Sequence, residues 1–121
     1  MGITKILVIF AKSPYTSASV VEGIRLATGV TAADITSLAL FIDDGVLALV
    51  KGQEPSHCGL EAVEQSLAFL SSNDVPIRVV SESLDERGIT GADLLDLPNL
   101  EIITLDHVGD LLPQFDASFT I

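Results

Sequence analysis

Short apolar runs that alternate with helical segments constrain the fold of this chain more than any other feature. The first run, Ile6–Phe10, is rich in β-branched residues and lacks polar alternation, which is typical of a strand buried on both faces of a sheet. We expect it to be the central strand. Similar runs recur along the chain, and the sequence predicts five strands in total, over residues 6–10, 38–42, 77–80, 100–104 and 117–121.

Two longer segments between these runs, Ser17–Thr28 and Gly59–Ser72, carry apolar residues at helical spacing. Shorter helices are predicted over residues 45–50, 83–87 and 107–112. Strands that alternate with helices indicate a parallel sheet with right-handed crossovers, covered by helices on both faces. The sequence therefore predicts a single domain over residues 1–121, with a three-layer α/β/α architecture and a mostly parallel five-stranded sheet.

The charge of the chain limits its partners. Seventeen acidic residues against six basic ones give a formal net charge of −11, which repels phosphate backbones and anionic lipid surfaces. We therefore expect neither nucleic acid nor a membrane as a partner. The single cysteine, Cys58, cannot form an internal disulfide, and the residues after Met1 lack the features of a signal peptide. These observations predict a cytoplasmic location.

Ligands of parallel α/β sheets bind beyond the carboxyl ends of the strands, so the residues that follow each run form the candidate binding edge. At the ends of the first three strands and directly after them, these residues are Ser13, Pro14, Tyr15, Asp43, Asp44, Val80, Ser81 and Glu82. The hydroxyl-rich loop Ser13–Ser19 leads into a helix start, where a phosphate or nucleotide could bind. It lacks the glycines of phosphate loops, and Pro14 has no N–H. A capped helix start is the preferred interpretation, and no cofactor is expected.

Carboxylates near the same edge raise the question of a metal. Oxygen ligands for Mg²⁺ could come from convergent acidic loops, and the residues considered are Asp43, Asp44, Glu82, Asp106 and His107. Aspartates just before a helix are explained more simply by capping of its free amides. We therefore expect Asp43 and Asp44 to be capping residues, and no metal.

Cys58 is the one candidate for thiol chemistry. It lies just before the predicted second helix, with His57 beside it in sequence, and a helix start can lower a thiol pKa. The competing interpretation is an ordinary small apolar residue. A serine hydrolase is not indicated, because the G-x-S-x-G elbow is absent from the sequence.

The order and spacing of three sets of residues carry a family resemblance. They are Val8-Ile9-Phe10 followed by Pro14-Tyr15 and Glu22-Gly23, Phe41-Ile42-Asp43-Asp44-Gly45-Val46 followed by Lys51-Gly52-Gln53, and Ser83-Leu84-Asp85-Glu86-Arg87-Gly88. With these residues the chain resembles the DsrE/DsrF-like family of sulfur relay proteins over nearly its whole length, most closely the DsrF/TusC type. The resemblance implies a cytoplasmic domain that works in trimers or hexamers, with itself or with homologous DsrE/TusD-like subunits, and passes persulfide sulfur between proteins.

The resemblance also points to one residue. In the sulfur-accepting branch a cysteine lies at the end of the third strand, and alignment of Glu86-Arg87-Gly88 with the family's motif places Val80 there. Persulfide transfer requires a thiolate, which valine lacks. We therefore expect a non-catalytic subunit, or a homo-oligomeric member of a sulfur relay, that acts in assembly and docking. The alternatives are a sulfur carrier that uses Cys58 and a phosphate- or nucleotide-binding module.

Overall fold

A computed structural model describes residues 4–13, 19–51 and 63–121. Its strands are β1 Lys5–Phe10, β2 Thr36–Phe41, β3 Ile77–Val80, β4 Leu100–Ile103 and β5 Ala117–Thr120. The α-helices are α1 Ser19–Ala32, α2 Val63–Ser72, α3 Ser81–Glu86 and α4 Leu105–Leu111, and short 3₁₀ segments span Asp43–Leu49, Gly91–Asp93 and Leu112–Gln114. In the part of the chain that these ranges cover, no helix is long and apolar enough to cross a membrane.

The five strands form one sheet in the order β4-β3-β2-β1-β5, and every neighbouring pair is parallel. The parallel α/β prediction is confirmed. The expectation that β1 is central is wrong, since β2 holds that place and β1 lies between β2 and β5. β1 is still an interior strand, and its side chains Leu7 and Val8 are fully buried on opposite faces because helices cover both faces of the sheet.

Helices cover both faces of the sheet, as predicted for a three-layer fold. On one face, α1 and α2 pack over a cluster that includes Val8, Phe10 and Phe41, and the two phenylalanine rings stack with their centroids 4.4 Å apart. The chain then crosses from β4 back to β5 in the opposite direction along the sheet. Because such crossovers are right-handed, α4 lies on the other face, over a smaller apolar cluster.

Helices α1 and α2 end in the same way. After each, an aspartate adopts a left-handed conformation, Asp34 with φ 65° and Asp74 with φ 62°. The next amide bonds back to the carbonyl five residues earlier, Ile35 to Val30 at 2.9 Å and Val75 to Leu70 at 3.4 Å. This is a Schellman ending, in which an apolar contact usually accompanies the hydrogen bonds. This ending stops α1 at Ala32, one turn beyond the predicted end at Thr28.

The remaining predicted helices differ from the observed ones at their ends. The first turn predicted for α2, residues 59–62, lies outside the described residues. Helices α3 and α4 each begin two residues earlier than predicted, and α4 is capped by Thr104, whose hydroxyl accepts a hydrogen bond from the His107 amide at 3.3 Å. This cap fixes where the chain turns from β4 into the helix.

Candidate functional site

The structure brings part of the candidate binding edge together. Asp43 and Asp44 follow β2, while Ser81 and Glu82 open α3 directly after β3, and β2 and β3 are neighbours in the sheet. Ser13 is described and half-buried. Pro14, Tyr15 and Cys58 lie outside the described residues, so the predictions made for them are not examined by the structure.

The turn after β2 lies against the end of β1. The Ile42 amide donates to the Phe10 carbonyl at 3.0 Å, and Gly45 follows three residues later. A Cβ at Gly45 would lie 1.8 Å from the Phe10 oxygen and 2.5 Å from its carbonyl carbon. Only glycine permits so close an approach to backbone, and it therefore fixes the position of the 3₁₀ segment Asp43–Leu49 at this edge.

Capping of a helix by Asp43 and Asp44, predicted from sequence, is wrong. Both aspartates lie inside the 3₁₀ segment, and the residue before it, Ile42, makes no side-chain cap. Asp43 has φ 53°, an uncommon conformation for a residue with a side chain, and its amide donates to Ser83 Oγ at 2.9 Å. The partner that holds this turn is forty residues away in sequence, so a local pattern could not reveal it.

Asp44 is bound by Arg87, the residue that directly follows α3. Its Oδ1 accepts from Nη2 of Arg87 at 2.9 Å and from Nε at 3.2 Å, while Nη1 of the same guanidinium donates to the Ser83 carbonyl at 3.0 Å. The planar guanidinium suits such paired contacts. Arg87 thereby ties the β2 turn to α3. The sequence did not predict this role, because Arg87 was considered there only as one residue of the family's motif.

Glu82 joins α3 to the start of α4. Its Oε1 accepts from Ser81 Oγ at 2.7 Å and from the Leu105 amide at 2.9 Å. The hydrogen bond from the Ser81 side chain, followed by bonds from the Glu82 and Leu105 amides, lowers the pKa of the Glu82 carboxyl below its ordinary value of 4.5. The carboxylate thus stabilises the contact between two elements of this edge.

We expect Glu82→Gln to remove an acid-sensitive part of the stability. A carboxyl whose pKa is lower in the folded state contributes stability that is present above its unfolded pKa and lost as the pH falls through the folded one. The native protein should therefore be more stable than the variant at neutral pH, with a gap in unfolding free energy that narrows as the pH falls below 4.5. Denaturant unfolding across this range checks the prediction, and a gap that is constant with pH contradicts it.

Ser83→Ala should destabilise the protein by about 1 to 2 kcal/mol, because the Asp43 amide loses its acceptor in a partly buried position. The Ser83 side chain is 4% exposed, so water replaces it poorly. The exposed Ser118 in β5 provides a control, and Ser118→Ala should change the unfolding free energy by less than about 0.5 kcal/mol. Equal effects in urea unfolding would contradict a bridging role for Ser83.

Val80 lies at the end of β3 but not on an open surface. Its side chain is 0% exposed and belongs to the apolar cluster beneath α4, with Leu7 and Leu40 from the sheet and Val108 and Leu111 from the helix. Any group at this position is therefore shielded by α4 from the solvent at the edge.

The carboxylates of the edge do not converge on one point. Within residues 4–13, 19–51 and 63–121, no three side chains of histidine, cysteine, aspartate or glutamate are grouped as metal ligands would be. Asp106 and His107 lie in the first turn of α4, exposed to solvent. The bonds described above engage Asp44 with Arg87 and Glu82 with the start of α4, so these acids stabilise the edge itself.

Comparisons with known proteins agree with this fold. The chain is 32% identical to a TusC homolog of Pseudomonas aeruginosa, over 96% of its length and 97% of that protein's. It is 27% identical to the intracellular sulfur oxidation protein DsrF of Allochromatium vinosum, and the match covers 98% of this chain and 96% of that protein. The crystal structure of the YchN protein from E. coli superposes with a TM-score of 0.82 at 26% identity, covering 98% of this chain and all of that one. The family model described as DsrE/DsrF-like matches residues 4–121, and the chain belongs to the DsrE/DsrF-like family.

Proposed function

We propose that this chain is a non-catalytic member of a sulfur relay, one that assembles with and docks other subunits but does not itself accept sulfur. Relatives of nearly the same length are named as a TusC homolog and as an intracellular sulfur oxidation protein. These names support a place in sulfur transfer.

One observation carries the non-catalytic part of the proposal, namely the valine at the end of β3. Sulfur carriage as a persulfide needs a nucleophilic thiolate that can reach the donor. Val80 has no thiol, and its side chain is 0% exposed beneath α4. Neither the chemistry nor the access that a sulfur acceptor needs is present at this position.

The polar groups that follow β2 and β3 support a docking role. Asp43, Asp44 and Glu82 are each engaged by α3 or α4 through backbone or side-chain hydrogen bonds. A surface held by such bonds keeps one shape, which lowers the entropic cost of binding another protein. It does not aim its carboxylates at a common reacting atom, as general acid–base catalysis would require.

The assembly part of the proposal is tested by size. Light scattering after size-exclusion chromatography gives the mass of the purified chain alone and after mixing with a DsrE/TusD-like protein from the same source. We expect a mass above that of one chain, either alone or in the mixture. A monomer under both conditions, at concentrations well above those in a cell, would contradict the assembly role.

A further inference from the structure

One side of α4 exposes an apolar surface. Leu105 is 49% exposed and Leu112 is 44% exposed, and Gly109 lies between them at the i, i+4, i+7 spacing that places residues on one side of a helix. Leu112 keeps helical torsion angles, φ −50° and ψ −46°, so the row continues past the end of α4. We call Leu105, Gly109 and Leu112 the α4 stripe. Exposed apolar rows of this kind mark contacts with other proteins.

The glycine at the centre of the α4 stripe has no explanation within the part of the chain that the structure describes. A Cβ at Gly109 would meet nothing within 4 Å, and Gly109 lies inside the helix Leu105–Leu111. Glycine in an exposed helix interior costs about 0.5 to 1 kcal/mol relative to alanine. One physical reason to keep it is the close approach of another backbone, which a methyl group would hold away.

The α4 stripe is bordered by negative charge. Asp106 and Asp110 lie one turn apart on α4, where like charges repel, and Asp110 also opposes the helix dipole in a last turn without a basic residue. The Glu82 carboxylate sits at the start of the helix, bound to the Leu105 amide. The sequence after Arg87 contains six acidic residues and neither lysine nor arginine. The last-turn position of Asp110 and its repulsion with Asp106 weaken the helix, and such local conflicts are expected at functional surfaces.

We propose that the α4 stripe docks a protein partner that presents an apolar ridge bordered by lysine or arginine. The leucines supply apolar area, Gly109 permits close approach, and the aspartates match the basic border. A second copy of this chain fits poorly, because it would bring the same aspartates against Asp106 and Asp110. The inference rests on the docking role proposed above, and it adds the surface and the chemistry of the partner.

The test is an NMR titration of the ¹⁵N-labelled full chain with a short synthetic helical peptide that has leucines along one face and lysines on both sides of them. We expect shift changes centred on residues 105–112, and binding that weakens as salt is added. Two comparison peptides replace either the lysines by glutamate or the leucines by serine. Binding of either one as tight as that of the parent peptide would overturn the proposal.

Matched glycine variants separate the surface from general effects. Gly29 is also exposed in a helix interior, and a Cβ there also meets nothing within 4 Å; its helical neighbours Arg25 and Ala32 do not form an apolar row. Both Gly29→Ala and Gly109→Ala should raise the melting temperature slightly. Only Gly109→Ala should lower the affinity for the peptide, by about tenfold. Equal affinity of the two variants would contradict close approach at Gly109.

Charge variants test the acidic border. Asp106→Asn with Asp110→Asn should lower the affinity at low salt by about tenfold and flatten its salt dependence. Glu22→Gln is the control, because it removes a carboxylate from α1, on the other face of the sheet. If Glu22→Gln lowers the affinity equally, the peptide responds only to net charge, and the site on α4 is refuted.

The remaining outcome is self-association. If dilution of the protein alone shifts the amide signals of residues 105–112, a second copy occupies the α4 stripe and the proposed partner chemistry is wrong. The wider proposal of a non-catalytic assembly subunit would survive that result, because its own tests are assembly size and sulfur loading. Conversely, sulfur loading of this chain would refute the non-catalytic role. The NMR titration would still decide whether the α4 stripe binds the peptide.

Discussion

Gly45→Ala should destabilise the protein by about 3 kcal/mol or more, enough to unfold a domain of marginal stability. The added Cβ would lie 1.8 Å from the Phe10 carbonyl oxygen, and the neighbour is backbone, so no rotamer change relieves the overlap. The turn after β2 would have to move away from the end of β1. Urea unfolding followed by circular dichroism measures the loss.

Gly91→Ala is the matched control for this result. A Cβ at Gly91 would lie 3.5 Å from the end of the Ile102 side chain, an ordinary contact distance. We expect a change of less than about 1 kcal/mol for this variant. A Gly45→Ala protein as stable as Gly91→Ala would show that the turn after β2 is not held against β1 in the way described.

A thiol introduced by Val80→Cys, in a Cys58→Ser background, should be almost inert in the native protein. Burial beneath α4 withholds reagent and disfavours the thiolate. We expect alkylation at least about a hundredfold slower than in denaturant, equivalent to an opening free energy of about 2.7 kcal/mol. Valine and cysteine are close in volume, so the fold should tolerate the change.

An exposed thiol in the same region calibrates this measurement. Asp85→Cys in the same background places a thiol on the exposed side of α3, where it should react at nearly the rate of an unfolded chain. The ratio between the two native rates reports the shielding by α4 directly. If the Val80→Cys protein is alkylated as fast as the Asp85→Cys protein, the end of β3 is open, and the access argument for the proposed function fails.

The elements of the fold are predictable because their signals are local. Ile6–Phe10 is apolar without alternation, and Leu67 and Leu70 follow helical spacing, so each segment reports its own structure. The order of the strands is not local. An apolar first strand suggests a central β1, yet β2 holds that place because β5 joins the sheet beyond β1, and a sequence pattern does not state which edge a last strand will join.

The candidate edge is predictable only in part, for the same reason. The rule for parallel sheets correctly places Asp43, Asp44 and Glu82 at the strand ends. Their partners, Ser83 and Arg87, become visible only once β2 and β3 are neighbours. The direction of Val80 is also hidden in the sequence, because Val79 and Val80 are both apolar and both fully buried, on opposite faces of the sheet.

Intact-mass spectrometry after incubation with a persulfide-loaded sulfur donor tests the central claim most directly. The claim is that this chain takes part in a sulfur relay without carrying sulfur, although Cys58 supplies one thiol. We predict that the wild-type protein and Cys58→Ser both keep their starting mass under conditions in which a sulfur-accepting DsrE/TusD-like protein gains one sulfur atom. Stoichiometric gain of one sulfur by the wild-type protein, abolished in Cys58→Ser, would contradict it.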